Sequence, residues 1–316
     1  MTDKTDTLSQ PRYVGIPTLM RAPFTENWSE LEIALIGVPF DGGVTNRPGA
    51  RHGPREIRNQ SSMMRRINQA TGVCPTELAR IADIGDAWVE KPFRLEDAHA
   101  EIGAFYDRVA AAGLVPLSAG GDHSVTLPIL RALGRERPVG MVQIDAHCDT
   151  GDDYLGSRFH HGAPFRRAVE EGVLDPARTV QIGIRGAITE RDVWAFSHQN
   201  GMRVIYMHDI PCMGLEAVIA EARRVVGDGP TYVSFDIDAV DPAFAPGTGT
   251  PEFGGLTAFE AQRLIRGLSG VDVVGGDVVE VSPPFDPSGN TALLGATLMF
   301  EILCVMAEAA AKRQGE

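Results

Sequence analysis

The sequence predicts an α/β protein in which helices cover both faces of a mainly parallel sheet. Two observations carry this. Short apolar runs rich in β-branched residues recur along the chain, and stretches with helical spacing of apolar residues separate them. A strand that is apolar on both faces must be covered on both, and strand–helix–strand alternation implies right-handed crossovers and parallel pairing. A chain of 316 residues, 43% hydrophobic and 22% charged, can bury a sizeable core, and α/β folds of this length often form one unit. We expect a single domain over residues 1–316, with the segment 1–30 as an extended N-terminal arm.

In chain order, the strand-like runs are 33–38, 115–118, 140–144, 179–184, 203–207, 231–237 and 271–281. Between the first two, Leu95, Ala98, Ile102, Phe105 and Val109 repeat at spacings of three and four, the stripe of an amphipathic helix. The most apolar stretch, 293–311, is broken by Glu301 and Glu308. It lacks the roughly 20 apolar residues that span a bilayer and reads as a buried helix.

The formal net charge of −13 opposes binding to nucleic acid or to an anionic membrane and favours a small cationic substrate. The polar N-terminus lacks the apolar core of a signal peptide. Cys74, Cys148, Cys212 and Cys304 are scattered without paired spacing, which fits a reducing compartment, so we expect a cytoplasmic protein.

Parallel α/β sheets gather functional groups at the carboxyl ends of their strands. Here Asp122 and His123 follow the 115–118 run through Gly120-Gly121, and Asp145, His147 and Asp149 follow 140–144. Asp236 and Asp238 close 231–237, and Glu280 ends 271–281. In an extended segment residues two apart face the same way, so Asp145, His147 and Asp149 form one row and Asp236 with Asp238 a second. Singly these residues have ordinary readings, His123 as a cap and 236–242 as an Asx-turned loop before Pro242. Together, two histidines and four carboxylates are too many ligands for one tetrahedral zinc ion and rich in hard oxygen. Two ions sharing bridging carboxylates fit better.

The segments GGDHS at 120–124, DAHCD at 145–149 and SFDIDAVDP at 234–242 resemble the three signature motifs of the ureohydrolase family, which includes arginase and agmatinase. The likeness extends to GARHGPREIR at 49–58, HGAPFRRA at 161–168, VQIGIRG at 180–186, DPAFAPGTGTPE at 241–252 and EVSPPFD at 280–286. Within the family it is strongest to the bacterial guanidinopropionases and guanidinobutyrases. The resemblance implies a three-layer αβα fold with a central, mainly parallel eight-stranded sheet. It also implies a hydrolase that uses two Mn²⁺ to cleave a small guanidino compound to urea and an amine.

By the same resemblance, His123, Asp145, Asp149 and Asp236 hold one ion, and Asp145, His147, Asp236 and Asp238 hold the other. The two cations lower the pKa of a shared water from about 15.7 toward neutrality. Four carboxylates balance two divalent ions, so a hydroxide and Glu280 leave the site anionic and suited to a guanidinium, which Glu280 holds through a carboxylate fork. Asp149 relays a proton to the departing amine, and His161 exchanges protons with solvent. A carboxylate tail on the substrate calls for donors such as Arg47, Arg51, Arg158 or His160. Tyr154 stands in the loop that separates guanidinopropionase from guanidinobutyrase, where a ring shortens the pocket. The expected substrate is therefore 3-guanidinopropionate.

Other substrates stay open at this point, namely 4-guanidinobutyrate and agmatine. Cys148 and His160 depart from the relatives' pattern, which admits guanidine or an alkylguanidine as substrate. A sulfur beside the ions would favour Ni²⁺, although the Cys148 side chain should point away from the ligands. Rivals from other classes are a regulatory subunit of a hetero-oligomer and a one-zinc amide hydrolase. The complete ligand set speaks against both. The resemblance finally implies a homo-oligomer, a trimer or a hexamer.

Overall fold

A computed structural model describes residues 10–189 and 191–315. Its strands are β1 (Ile33–Gly37), β2 (Ile81–Asp86), β3 (Val115–Ala119), β4 (Val139–Ile144), β5 (Leu174–Ile184), β6 (Arg203–Tyr206), β7 (Thr231–Asp236) and β8 (Val273–Val279). These eight form one sheet in the order β2-β1-β3-β8-β7-β4-β5-β6, with every pairing parallel. The last strand, β8, inserts between β3 and β7, so the carboxyl ends of β3, β8, β7 and β4 stand side by side at the middle of the sheet.

The helices are α1 (Gly53–Ser61), α2 (Pro75–Leu78), α3 (Leu95–Ala111), α4 (Thr126–Leu133), α5 (Pro164–Glu170), α6 (Ala195–Gln199), α7 (Ile210–Met213), α8 (Leu215–Val226), α9 (Ala258–Arg266) and α10 (Asn290–Gly315). Alternation along the strands divides the core in two. Ile33, Leu35, Leu117, Val142 and Ile144 pack with Ile57 of α1, Val218 of α8, Leu264 of α9 and Leu298 of α10. Ala34, Ile36, Met141 and Tyr232 face the other way, against Ile102 of α3, Leu127 of α4 and Phe165 of α5. The result is the helix–sheet–helix sandwich expected from the sequence.

Seven strands coincide with the apolar runs read from the sequence, and β2 does not. Its residues IADIGD put Asp83 and Asp86 into an edge strand, where Arg58 of α1 pairs with both and Nε lies 2.9 Å from Asp83 Oδ2. Paired acids interrupt the apolar signal. Of the expected N-terminal arm, residues 1–9 lie outside the described residues. Farther along, the turn Leu19–Arg21 buries Leu19 and Met20, and Leu19 N donates to Asp83 Oδ2 at 2.8 Å, tying this segment to the β2 edge.

The 293–311 stretch lies within α10. By length and composition this helix is able to cross a bilayer, but 78% of its apolar window is buried inside the fold. Glu301 within it is held by Arg266 and by Asn68 Nδ2 at 2.7 Å, as befits a core helix.

Candidate metal centre and active site

β3 enters the site through Gly120-Gly121. A Cβ on Gly121 would stand 1.7 Å from the carbonyl oxygen of Phe40, so only glycine lets the two segments pass. Asp122 then caps the short turn His123–Val125 by accepting from Ser124 N at 2.9 Å. His123 is fully buried, edge-on to Phe165 with centroids 5.0 Å apart.

The two expected rows converge, but not on extended strands. β4 stops at Ile144, His147 N donates to Asp145 Oδ1 at 2.6 Å, and Asp149 takes a left-handed φ of 50°. β7 stops at Asp236, whose Oδ1 accepts from Asp238 N at 2.9 Å within the turn Ile237–Ala239. Carboxylate-capped turns, rather than the strand pleat, turn these side chains onto one point.

His123 Nδ1 lies 2.8 Å from Asp149 Oδ2 and 3.2 Å from both Asp145 Oδ2 and Asp236 Oδ2. It makes no well-directed hydrogen bond to any of them, so its lone pair points into the gap between the oxygens. His147 Nδ1 lies 3.0 Å from Asp238 Oδ2 and 3.7 Å from Asp145 Oδ1. The donor atoms fall into two groups, His123–Asp145–Asp149–Asp236 and Asp145–His147–Asp238, which share Asp145. Asp236 belongs to the first group only, with Oδ2 toward His123 Nδ1 and Oδ1 accepting from Asp238 N.

Buried partners hold these ligands. Asp277 accepts from Thr126 Oγ1 at 2.7 Å and from Tyr232 OH and Ser234 Oγ at 2.8 Å. With its own hydrogen committed to Asp277, the Ser234 oxygen accepts from His123 Nε2 at 2.8 Å, which leaves the lone pair on Nδ1. Gln143 Nε2 donates to Asp145 Oδ2 at 2.7 Å, and Gln181 Nε2 donates to Gln143 Oε1 at 2.6 Å. Arg185 Nη2 donates to the carbonyls of Asp238 at 2.7 Å and Glu252 at 2.6 Å, clamping the Asp238 turn.

The electrostatics call for a cation. Burial first, then the charges of Asp149 and Asp238, pushes the Asp145 carboxyl up to about 7. Burial and the charges of Asp238 and Asp145 raise Asp236 well above the carboxylate range. For His123 and His147, burial favours the neutral ring but is outweighed by the surrounding carboxylates, which hold both well above an ordinary imidazole. Burial likewise works against ionised Asp238, yet His147 draws its carboxyl down.

Glu280 ends β8 in a left-handed conformation, φ 62°. Its Oε1 accepts from His123 N at 2.9 Å and meets His161 Nδ1 at 2.8 Å, while Oε2 is buried with no partner. Oε1 is thus engaged twice while the buried Oε2 has no partner, so the carboxylate is not the free fork expected from the sequence. On the far side of the His161 ring, Nε2 accepts from Thr45 N at 3.2 Å and lies 2.8 Å from Thr45 Oγ1. Two influences oppose on this ring. Burial and the Thr45 N–H favour the neutral form, whereas Glu280 draws a second proton and holds the His161 pKa at about 9.

A cavity of about 310 Å³ opens over the cluster, lined by His147, Asp149, His161 and Asp236 below and by Tyr154, His160, Ile188 and Trp194 toward the mouth. Of the four expected tail donors, only His160 lines it. Its Nδ1 accepts from Gly162 N at 3.2 Å and its Nε2 contacts Asp152 O at 3.2 Å, so neither nitrogen is open. Arg158 is engaged with Asp152 at 3.2 Å and Glu170 at 3.1 Å. Arg51 pairs with Asp41, and Arg47 stacks on Phe285 at 5.1 Å. Cys148 packs with Ile184, Val204, Trp194 and Tyr206, its sulfur on Val193 O at 3.8 Å and away from the ligands.

The family model described as the arginase family matches residues 31–305. The chain belongs to the arginase family. It is 60% identical to guanidinopropionase of Pseudomonas aeruginosa over 97% of this chain and 96% of that protein. It is 49% identical to guanidinobutyrase of the same organism over 94% of each. Among solved structures, proclavaminate amidinohydrolase of Streptomyces clavuligerus superposes with a TM-score of 0.91 at 39% identity, covering 95% of this chain and 100% of that one.

Arginase-family enzymes depend on a binuclear metal centre, and this donor set fits one. Mutually repelling buried carboxylates, a shared Asp145 and an aimed, unpartnered His123 lone pair are what two divalent cations would satisfy. Sequence reasoning missed Thr45, Ser234 and Asp277, and the Arg185 clamp. For Asp277 and Gln143 a signal existed, since each is a polar residue inside an otherwise apolar strand. Thr45 carries no such mark.

Proposed function

We propose that this arginase-family chain hydrolyses 3-guanidinopropionate to urea and β-alanine. The observation that carries this reading is the 60% identity to guanidinopropionase along nearly the full length of both chains. Tyr154 on the cavity wall supports the short-tailed substrate. We take the cofactor to be two Mn²⁺; His123, Asp145, Asp149 and Asp236 would hold one, and Asp145, His147 and Asp238 the other. Bound there, two divalent cations would acidify a water and so supply hydroxide at neutral pH.

The remaining work falls to the protein. Glu280 offers Oε2 to the guanidinium and fixes its orientation. Asp149 carries a proton to the departing nitrogen so that it leaves as an amine, and His161 exchanges protons between the site and solvent. Residues 1–316 act as one catalytic unit, in the cytoplasm, as a homo-oligomeric trimer or hexamer.

One observation favours a second reading, a tail-less guanidine or alkylguanidine, with Ni²⁺ as the alternative metal. Arg47, Arg51 and Arg158 do not line the cavity, and His160, which does, has both ring nitrogens engaged by the backbone, so no basic side chain among these four is placed to meet a carboxylate tail. Urea release should be measured with Mn²⁺-loaded and Ni²⁺-loaded protein on 3-guanidinopropionate, 4-guanidinobutyrate, agmatine, arginine, guanidine and methylguanidine. Preference for 3-guanidinopropionate supports the first reading and preference for the tail-less compounds the second. Silence on all six with metal bound overturns both and returns a regulatory subunit to the front.

A further inference from the structure

His161 is buried, but one residue reaches both its free nitrogen and solvent. Thr45 is exposed, and it supplies every partner of His161 Nε2 found among the described residues, the backbone N–H at 3.2 Å and the hydroxyl at 2.8 Å. The loop that carries it is fastened at several points. Asp41 Oδ2 accepts from Gly49 N at 2.7 Å, Gly43 N donates to Asp122 Oδ2 at 2.7 Å, and His161 N donates to Gly43 O at 2.9 Å. Thr45 is therefore held against the ring by the same loop that the ring's own backbone binds.

The two Thr45 groups are not equivalent. A backbone N–H only donates, so it matches a ring whose lone pair is on Nε2 and whose hydrogen is on Nδ1, facing Glu280. Once Nε2 takes a proton, the backbone contact becomes donor against donor. A hydroxyl both donates and accepts, so it serves either state by rotating. Thr45 Oγ1 is the acceptor placed for the charged ring.

We propose that Thr45 is the positioning residue through which His161 exchanges protons with solvent. The ring gives its Nε2 proton to Thr45 Oγ1 as the hydroxyl releases its own hydrogen to a water. One N–H bond and one O–H bond break, two O–H bonds form, and nothing is oxidised or reduced. The inference rests on the hydrolase reading given above, in which His161 must reload between turnovers.

Thr45→Val keeps the shape and the backbone N–H and removes only the hydroxyl, while Thr45→Ser keeps the hydroxyl. In the metal-loaded full chain, Thr45→Val should lower kcat by roughly a hundredfold, the lower range for a positioned proton carrier, with KM unchanged. Added imidazole buffer should restore the rate, and Thr45→Ser should behave as wild type. Unchanged kcat, or a loss that imidazole does not rescue, overturns the proposal. A second readout needs no substrate. In ¹⁵N-histidine-labelled chain loaded with diamagnetic Mg²⁺, Thr45→Val should lower the His161 pKa, because the charged ring loses its acceptor. An unmoved pKa also overturns it. Absence of turnover in the wild type would instead count against the hydrolase reading, leaving this titration to decide the role of Thr45.

Discussion

At the floor of the cavity, His123, Asp145 and Asp236 sit at strand ends in the middle of the sheet, each fixed by hydrogen bonds with buried neighbours. At its mouth, Tyr154 and Ile188 stand exposed on loops, and the loop that carries Tyr154 is tied to α5 by ion pairs centred on the half-exposed Asp152. Asp152 there receives Arg158, Arg166 and Arg167, and Glu170 receives the same three. A side chain locked by buried hydrogen bonds holds geometry to fractions of an ångström, whereas exposed ion pairs are weak and screened by salt. On the proposed function, the reaction is written where the fold is stiff, and the choice of tail where it is soft. This is also why Arg158, expected to grip the substrate, instead braces the loop.

Four experiments break or sharpen this contrast, in descending order of effect. Asp145→Asn removes the ligand common to both groups. Since metal assistance is worth several kcal/mol, urea release should fall by roughly three orders of magnitude, and metal analysis should find fewer than two ions per chain. Full occupancy with full rate would remove the floor from the chemistry altogether.

Ser234→Ala leaves every ligand in place but frees the His123 tautomer. Metal affinity should weaken by about 10–100-fold, as for other partners of ligating histidines, and titration with Mn²⁺ would show it. An unchanged affinity would mean that Ser234 only fills space.

Beneath the floor, His99 contacts Ser124 Oγ at 3.0 Å, and burial followed by the charge of Arg131 lowers its pKa from 6.5 to about 3. The unfolded chain takes up a proton there that the folded chain refuses. Stability should therefore fall as the pH drops below 6.5, by up to about 1.36 kcal/mol per pH unit, and level off near 3. Thermal unfolding of His99→Gln across that window should show a shallower slope than wild type. Parallel slopes would place the acid sensitivity elsewhere.

The smallest effect belongs to the mouth. Asp152→Asn should raise KM for the preferred substrate a few-fold and leave kcat nearly unchanged, and added salt should mimic it in the wild type. A matching loss of kcat would show that the loop ion pairs reach into the reacting geometry.

The same contrast decides how much was legible in the sequence. The candidate site was readable because Asp145, Asp236 and Glu280 interrupt apolar runs at strand ends, where burial without a cation is costly. Their convergence was right for an incomplete reason, since it comes from the capped turns at 145–149 and 236–238 and not from strand alternation. β2 was invisible because its acids are satisfied by Arg58, a partner far away in sequence. The mouth was the least readable. Whether an arginine faces a ligand or a neighbouring carboxylate depends on three-dimensional company that a linear pattern does not carry, as Arg158 and Arg51 show.

The position of β8 has a consequence for how the chain comes to be active at all. Because the last strand in sequence fills the slot between β3 and β7, the sheet cannot close around Glu280 until nearly the whole polypeptide has been made. Such long-range pairing is slow and leaves unpaired edges exposed in the meantime. Assembly of the catalytic edge accordingly waits on β8, and a chain cut short before residue 273 should hold Mn²⁺ far more weakly than the full chain.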